Sequence, residues 1–207
     1  MKIFNKNTEN VLKLLSKMDW VKNFYLAGGT GLALQIFHRK SLDFDFFSYK
    51  NKLYFVDREE IKTEFKKFSK IIILQDKDGT LEVVFNNIKI SLFYYNSLLV
   101  KPLKKLYNIN IASMEDIGLM KLATIISRGS KKDFIDLYFI CKEIELKKLL
   151  SLSKKKFSEV YNFELLVAKS LTYFIDAEKE KMPIMIKKVS WEEVKKFFIK
   201  EAKNVIQ

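Results

Sequence analysis

The chain has 207 residues, 48% of them hydrophobic and 14% aromatic, with 38 basic and 25 acidic side chains and a formal charge of +13. That length and apolar content support a sizeable core, as one large domain or two small lobes, and exclude long disorder, while no apolar run approaches a membrane span. Cys141 stands alone, which excludes an internal disulfide, and one Cys with one His cannot assemble a Cys/His zinc site; the charge favours polyanionic partners without naming one.

The opening Met-Lys-Ile-Phe-Asn-Lys-Asn lacks the apolar core and cleavage site of a secretory signal, so a cytoplasmic location is expected. Asn7–Asp19 carries Leu12, Leu15 and Met18 near helical spacing, with Thr8 read as the N-cap. Phe24–Ala27 reads as a short strand, Gly28 and Gly29 as a tight turn, Thr30 as a helix start, and Gly31–Phe37 as a brief helix burying Leu32, Leu34 and Ile36. Leu42–Phe47 then alternates, with Leu42, Phe44 and Phe46 on one face and Asp43, Asp45 and Phe47 on the other. Both aspartates therefore project together.

Asp57 and Glu60 read as a capping box for a helix carrying Ile61, Phe65 and Phe68. Ile71–Leu74, the Asp78-Gly79 turn, Thr80–Phe85, the Asn86-Asn87 turn and Ile88–Tyr95 form an antiparallel meander. Beyond Pro102 the pattern turns helical. Ser113 with Asp116 starts a helix to about Ser127, Arg128-Gly129 ends it, and a second helix covers Lys131–Lys142. Pro183 marks a break, and Ser190 with Glu193 caps a last basic amphipathic helix ending near Asn204. The predicted class is α+β: a small mixed or antiparallel sheet flanked by helices over residues 1–100 and a helical lobe over 101–207, with a soft boundary.

Residues i and i+2 of a strand point the same way about 6.5–7 Å apart, so Asp43 and Asp45 are placed to share a magnesium ion. An isolated Asp-x-Asp is most often a solvated face. Here Phe44, Phe46 and Phe47 make the strand apolar, and two repelling carboxylates without a cation are costly there. Gly28-Gly29-Thr30 either relieves a backbone corner or presents helix N–H groups and the Thr30 hydroxyl to the phosphates of a nucleoside triphosphate; no Walker lysine follows.

Lys121 shares a helix stripe with Ile117, Ile125 and Arg128 and either snorkels to solvent or contacts triphosphate oxygens. Arg128 is a helix-end charge, or meets phosphate or nucleic acid. Asp133 and Asp136 are i, i+3 neighbours that either pair with lysine or serve the site. His38 reads as capping or packing, Arg39 as a steering charge for phosphate, and Cys141 as core.

Phe24–Ser48 together with Ile111–Ile140 resembles the AbiEii/AbiGii-type toxin family of the DNA-polymerase-β-like nucleotidyltransferase superfamily. In that superfamily a Gly-Gly-Ser/Thr turn, a short helix and an Asp-x-Asp strand hold the triphosphate and its metals. The resemblance implies a nucleotidyltransferase-like N-terminal lobe in which Asp43 and Asp45 bind Mg2+ and Gly28, Gly29, Thr30, Lys121 and Arg128 bind the nucleotide. Asp43, Asp45, Lys121 and Asp136 form the implied catalytic set, with Asp133 and Arg39 as further candidates. It also implies transfer of a nucleotidyl group to a hydroxyl acceptor, RNA such as a tRNA 3′ end, and a cognate antitoxin protein. The superfamily's third carboxylate is missing: Ile88–Tyr95 offers Lys89, Ser91 and Phe93, so Ser91 stands where an acid is sought, and Glu82 and Asp136 are substitutes. Phosphoryl transfer to a protein or small molecule, or a non-catalytic nucleotide- or RNA-binding module of the same fold, are the rival expectations.

Overall fold

The computed structural model describes residues 3–206; Met1, Lys2 and Gln207, at the ends of the two expected lobes, lie outside the described residues. Asn5 caps the first helix in place of Thr8: its Oδ1 accepts the Thr8 N–H at 2.9 Å, because an Asx side chain reaches back to the third helical amide. That helix, α1 (Lys6–Leu15), ends before Asp19, and Asp19–Asn23 forms a separate 3-10 turn. Buried β1 (Tyr25–Leu26) leads into α2 (Gly28–Ile36), which starts at Gly28 rather than at Thr30.

β2 (Phe44–Ser48) shows the expected alternation, with Phe44 and Phe46 fully buried. The box expected at Asp57 and Glu60 falls one turn earlier. Asp57 lies inside the first turn of α3 (Phe55–Lys66), and its Oδ2 accepts the Tyr54 N–H at 2.8 Å. The meander forms as β3 (Ile71–Lys77), β4 (Thr80–Phe85) and β5 (Ile88–Tyr94). A second hairpin, β6 (Lys104–Leu106) and β7 (Ile109–Ile111), precedes the helices; its exposed, lysine-bearing edge strand is too short for an alternation to show in sequence.

Among the described residues seven strands form one mixed sheet in the order β3-β4-β5-β2-β1-β7-β6. β2 runs antiparallel to β1 and parallel to β5, and β1 runs parallel to β7. The sheet divides two cores. One gathers Val11, Trp20, Phe44, Phe46 and Phe65 beneath α1 and α3. The other gathers Leu32, Ile117, Phe134 and Phe198 among α2, α4 (Met114–Ser127), α5 (Lys131–Cys141) and α9 (Trp191–Ile206). Between them in sequence lie α6 (Leu146–Lys156), α7 (Phe163–Ser170) and the single turn α8 (Ile175–Glu178).

The caps at Ser113 and Ser190 are as expected: each hydroxyl accepts an amide, from Asp116 at 3.0 Å and from Glu193 at 3.1 Å. Lys156 and Asp116, both fully buried, pair at 2.9 Å, and the Asp116 carboxylate also accepts the N–H groups of Val100 and Lys101. That knot pins the segment joining sheet to helices. Among the described residues no helix is long and apolar enough to cross a membrane.

Candidate functional site

The glycines of the opening turn are explained by what leans on them. Gly28 has φ +60°, and a Cβ there would lie 2.7 Å from Asp45 Oδ2, so a side chain is excluded by conformation and by the carboxylate. A Cβ on Gly29 would collide with the Arg39 guanidinium. Gly31 is the residue whose N–H closes on Ala27 O, at 2.9 Å; the amides of Gly28, Gly29 and Thr30 have no acceptor within the helix. Thr30 itself faces inward. It is buried, and its hydroxyl donates to the Asp43 carbonyl and shares a 2.8 Å hydrogen bond with Ser41 Oγ, tying the loop that carries Asp43 to α2.

Asp45 is half-buried on β2 and Asp43 is exposed just before it. Among the described residues no cation pairs directly with either carboxylate. Burial raises the Asp45 carboxyl above its ordinary range; Lys121 opposes that shift, and the like charge of Asp43 adds to it. Two hard oxygen donors without a third suit Mg2+, which keeps waters and substrate phosphates in its shell, better than an ion needing an all-protein cage. Among the described residues no group of three or more His, Cys, Asp or Glu converges on a common point.

The opposite wall comes from the helices. Lys121 is buried and its Nζ lies 2.8 Å from Asp133 Oδ1 and 2.7 Å from Asp136 Oδ2. Burial disfavours its charge, yet Asp136 and Asp133 outweigh burial and raise its pKa. Asp133 also accepts from Ser130 Oγ at 2.8 Å and meets Arg128 Nε at 3.4 Å. Asp136 is fully buried and accepts from His38 Nε2 at 2.7 Å, Arg39 Nε at 2.6 Å, Arg39 Nη2 at 2.9 Å and Lys121. Burial works against its charge, but Lys121 and Arg39 hold the carboxyl well below the usual range. With both oxygens engaged, Asp136 has no face for a substrate. These contacts make Asp136 a joint between the segment after α2 and helices α4 and α5.

These walls enclose a cavity of about 650 Å3. Gly29, Arg39, Asp43, Asp45, Lys121, Arg128 and Asp133 are brought together in its lining, whereas Gly28, Thr30 and Asp136 stand behind it. Lys132, Glu180 and Lys181 also line it and were not read from the sequence. The segment carrying Glu180 and Lys181 returns across the chain: Lys40 N–H donates to Ile184 O at 2.8 Å, and His38 O accepts from Ile186 and Lys187. Pro183 signals a break there, but nothing local signals the return.

Strand register places Glu82 and Ser91 in line with Asp45. Asp45 pairs with Ser91 across β2 and β5, and Ser91 with Glu82 across β5 and β4. Ser91 Oγ donates to Glu82 Oε1 at 3.0 Å, and Lys89 Nζ sits 2.7 Å from the same oxygen. An acid therefore lies one strand away from β5, hydrogen-bonded to Ser91, though neither residue lines the cavity.

A family model described as nucleotidyl transferase AbiEii toxin, type IV TA system, matches residues 10–204. An uncharacterized protein of Aquifex aeolicus (strain VF5) is 36% identical over 211 residues, spanning 100% of both chains. Among solved structures, JHP933 from Helicobacter pylori shares 18% identity over 97% of this chain and 89% of its own, with a TM-score of 0.58. MenT4, nucleotidyltransferase toxin Rv2826c from Mycobacterium tuberculosis H37Rv, shares 13% over 97% of this chain and 83% of its own, with a TM-score of 0.56. At these identities the two structures bear on the fold alone, a nucleotidyltransferase-like α+β arrangement.

Proposed function

The chain belongs to the AbiEii family of nucleotidyl transferase toxins of type IV toxin–antitoxin systems, and from that membership we propose that it moves a nucleotidyl group from a nucleoside triphosphate, with Mg2+, to a hydroxyl of RNA such as a tRNA 3′ end. One observation carries the reading. Lys121 and Asp133 in the cavity wall and Asp136 behind it satisfy one another, whereas Asp43 and Asp45 of the same cavity are adjacent carboxylates with no direct cationic partner among the described residues. Asp45, half-buried and beside the like charge of Asp43, is costly to ionise until a cation joins it.

Asp43 and Asp45 would hold Mg2+, which supplies charge neutralisation on the triphosphate and polarises its α-phosphorus. The free amide at Gly29, in the first turn of α2, donates to a phosphate oxygen at the positive end of the helix. Lys121 has three ammonium donors, two engaged by Asp133 and Asp136, and the third serves a phosphate oxygen. Arg39 is held flat by Asp136 behind Gly29, and exposed Arg128 stands at the mouth for outer phosphates or acceptor. Glu82 lies outside the cavity lining, its Oε1 held by Ser91 and Lys89, and its other oxygen would take the proton of the attacking hydroxyl; the acceptor oxygen then bonds to the α-phosphorus as the bond to pyrophosphate breaks. Sheet and α1–α3 form the nucleotide lobe through β7, and α4–α9 the second lobe. The family implies an antitoxin partner, and the cytoplasm is the compartment that fits.

The test is incubation of total RNA with each triphosphate separately, labelled at the α or the γ position. RNA labelled from the α position alone is expected, with Asp45→Ala reducing transfer at least about 100-fold. Equal labelling by Asp45→Ala defeats the assignment, and label arriving from the γ position replaces it with phosphoryl transfer.

A further inference from the structure

A smaller cleft of about 290 Å3 opens beside the site, lined by Ile125, Ile126 and Arg128 at the end of α4, Lys169 and Tyr173 at and after the end of α7, and Asp176 of α8. Arg128 is a wall of both the cleft and the site cavity, so the two adjoin at its side chain. Tyr173 is 54% exposed. Lys169 is exposed, and among the described residues no acid pairs with it. Arg128 keeps 68% of its side chain in solvent, with Asp133 3.4 Å away. The acid of the cleft, Asp176, is offset by Lys179 at 3.1 Å.

An apolar floor, an open aromatic face and two solvent-facing cations are the parts with which proteins hold single-stranded nucleic acid: the ring takes a base and the cations take backbone phosphates. The larger cavity has the volume of a small-molecule site. With a triphosphate seated there, the acceptor must approach from a surface that adjoins it. We infer that the cleft binds the nucleotide next to the reacting end of a single-stranded RNA acceptor, its base on Tyr173 and its phosphates on Lys169 and Arg128. This rests on the transferase reading above and names its acceptor subsite. The other source of a base, the triphosphate itself, is separated by the kinetics.

The experiment measures anisotropy of a short, dye-labelled single-stranded oligoribonucleotide and, in parallel, KM for acceptor and for triphosphate in the transfer assay. Tyr173→Ala is expected to weaken oligonucleotide binding and raise the acceptor KM about tenfold, leaving the triphosphate KM unchanged, while Tyr173→Phe retains wild-type values. Lys169→Gln is expected to lower the slope of log affinity against log salt by about 0.7. Both side chains are exposed, so folding is not at stake. Unchanged RNA affinity in Tyr173→Ala and Lys169→Gln overturns the inference, as does a raised triphosphate KM with an unchanged acceptor KM. Should the wild type transfer nothing to any acceptor, the transferase reading falls, and the anisotropy series still decides the cleft.

Discussion

Asp136 and Asp45 serve the same cavity from opposite conditions. Asp136 is sealed from solvent and accepts from His38, Arg39 and Lys121; Asp45 is half-buried with no direct cationic partner among the described residues. Their carboxyl pKa values move apart accordingly, one held well below the ordinary range by its cations and one raised by burial. A buried charge whose oxygens are all engaged is a joint, and a charge left without a partner marks where a ligand completes the structure. Three substitutions break or sharpen that contrast.

Removing the joint has the largest expected effect on stability. Asp136→Ala strands the buried Arg39 cation and leaves Lys121 with Asp133 alone, and should cost about 3–5 kcal/mol in urea unfolding; a loss under 1 kcal/mol would mean the hub is not what holds the lobes together. Because the folded Asp136 pKa lies below its unfolded value, its stabilisation is present above the unfolded pKa and fades as pH falls through the folded one.

Gly28→Ala acts on the boundary between the two behaviours. A non-glycine residue at φ +60° is strained, and its Cβ pushes on the Asp45 carboxylate, so a loss of about 1–3 kcal/mol should accompany weaker Mg2+ binding by isothermal titration. Weakened Mg2+ binding without lost stability would place the constraint in the carboxylate rather than in the backbone.

The smallest effect has the opposite sign. Asp45→Asn removes a charge that burial disfavours and should gain about 0.5–2 kcal/mol while transfer is lost. The raised folded pKa means that the contribution of Asp45 is present below its unfolded pKa and lost as pH rises through the folded one. The gain from Asn is therefore expected to be larger at pH 7 than at pH 4 in paired urea titrations. A destabilised variant at pH 7 would mean that Asp45 has a favourable partner in the free protein.

What was legible in the sequence was local. The glycine corner between β1 and α2, the alternation that puts Asp43 and Asp45 on one side, the β3–β5 meander and the caps at Ser113 and Ser190 each depend on residues a few positions apart, where backbone freedom and side-chain period act directly, although Gly28 and Gly29 begin the helix instead of forming a turn before it. Even there neighbours decided details: Asn5 displaced Thr8 as the cap, and Thr30 turned inward to hold Ser41 and the Asp43 carbonyl. The β6–β7 hairpin escaped because its strands are three residues each and bear lysines on an exposed edge.

By itself, then, the sequence nominated residues for the chemistry and determined most of the segments that form elements, since glycine conformations, caps and strand periods are properties of short stretches. The tertiary structure alone decided how those residues divide their work. It joined His38 and Arg39 to Asp136 across almost one hundred positions, returned Glu180 and Lys181 to the cavity, and aligned Glu82 and Ser91 with Asp45. Whether a charge is satisfied depends on the groups that packing brings to it from elsewhere in the chain, and no local pattern contains that information.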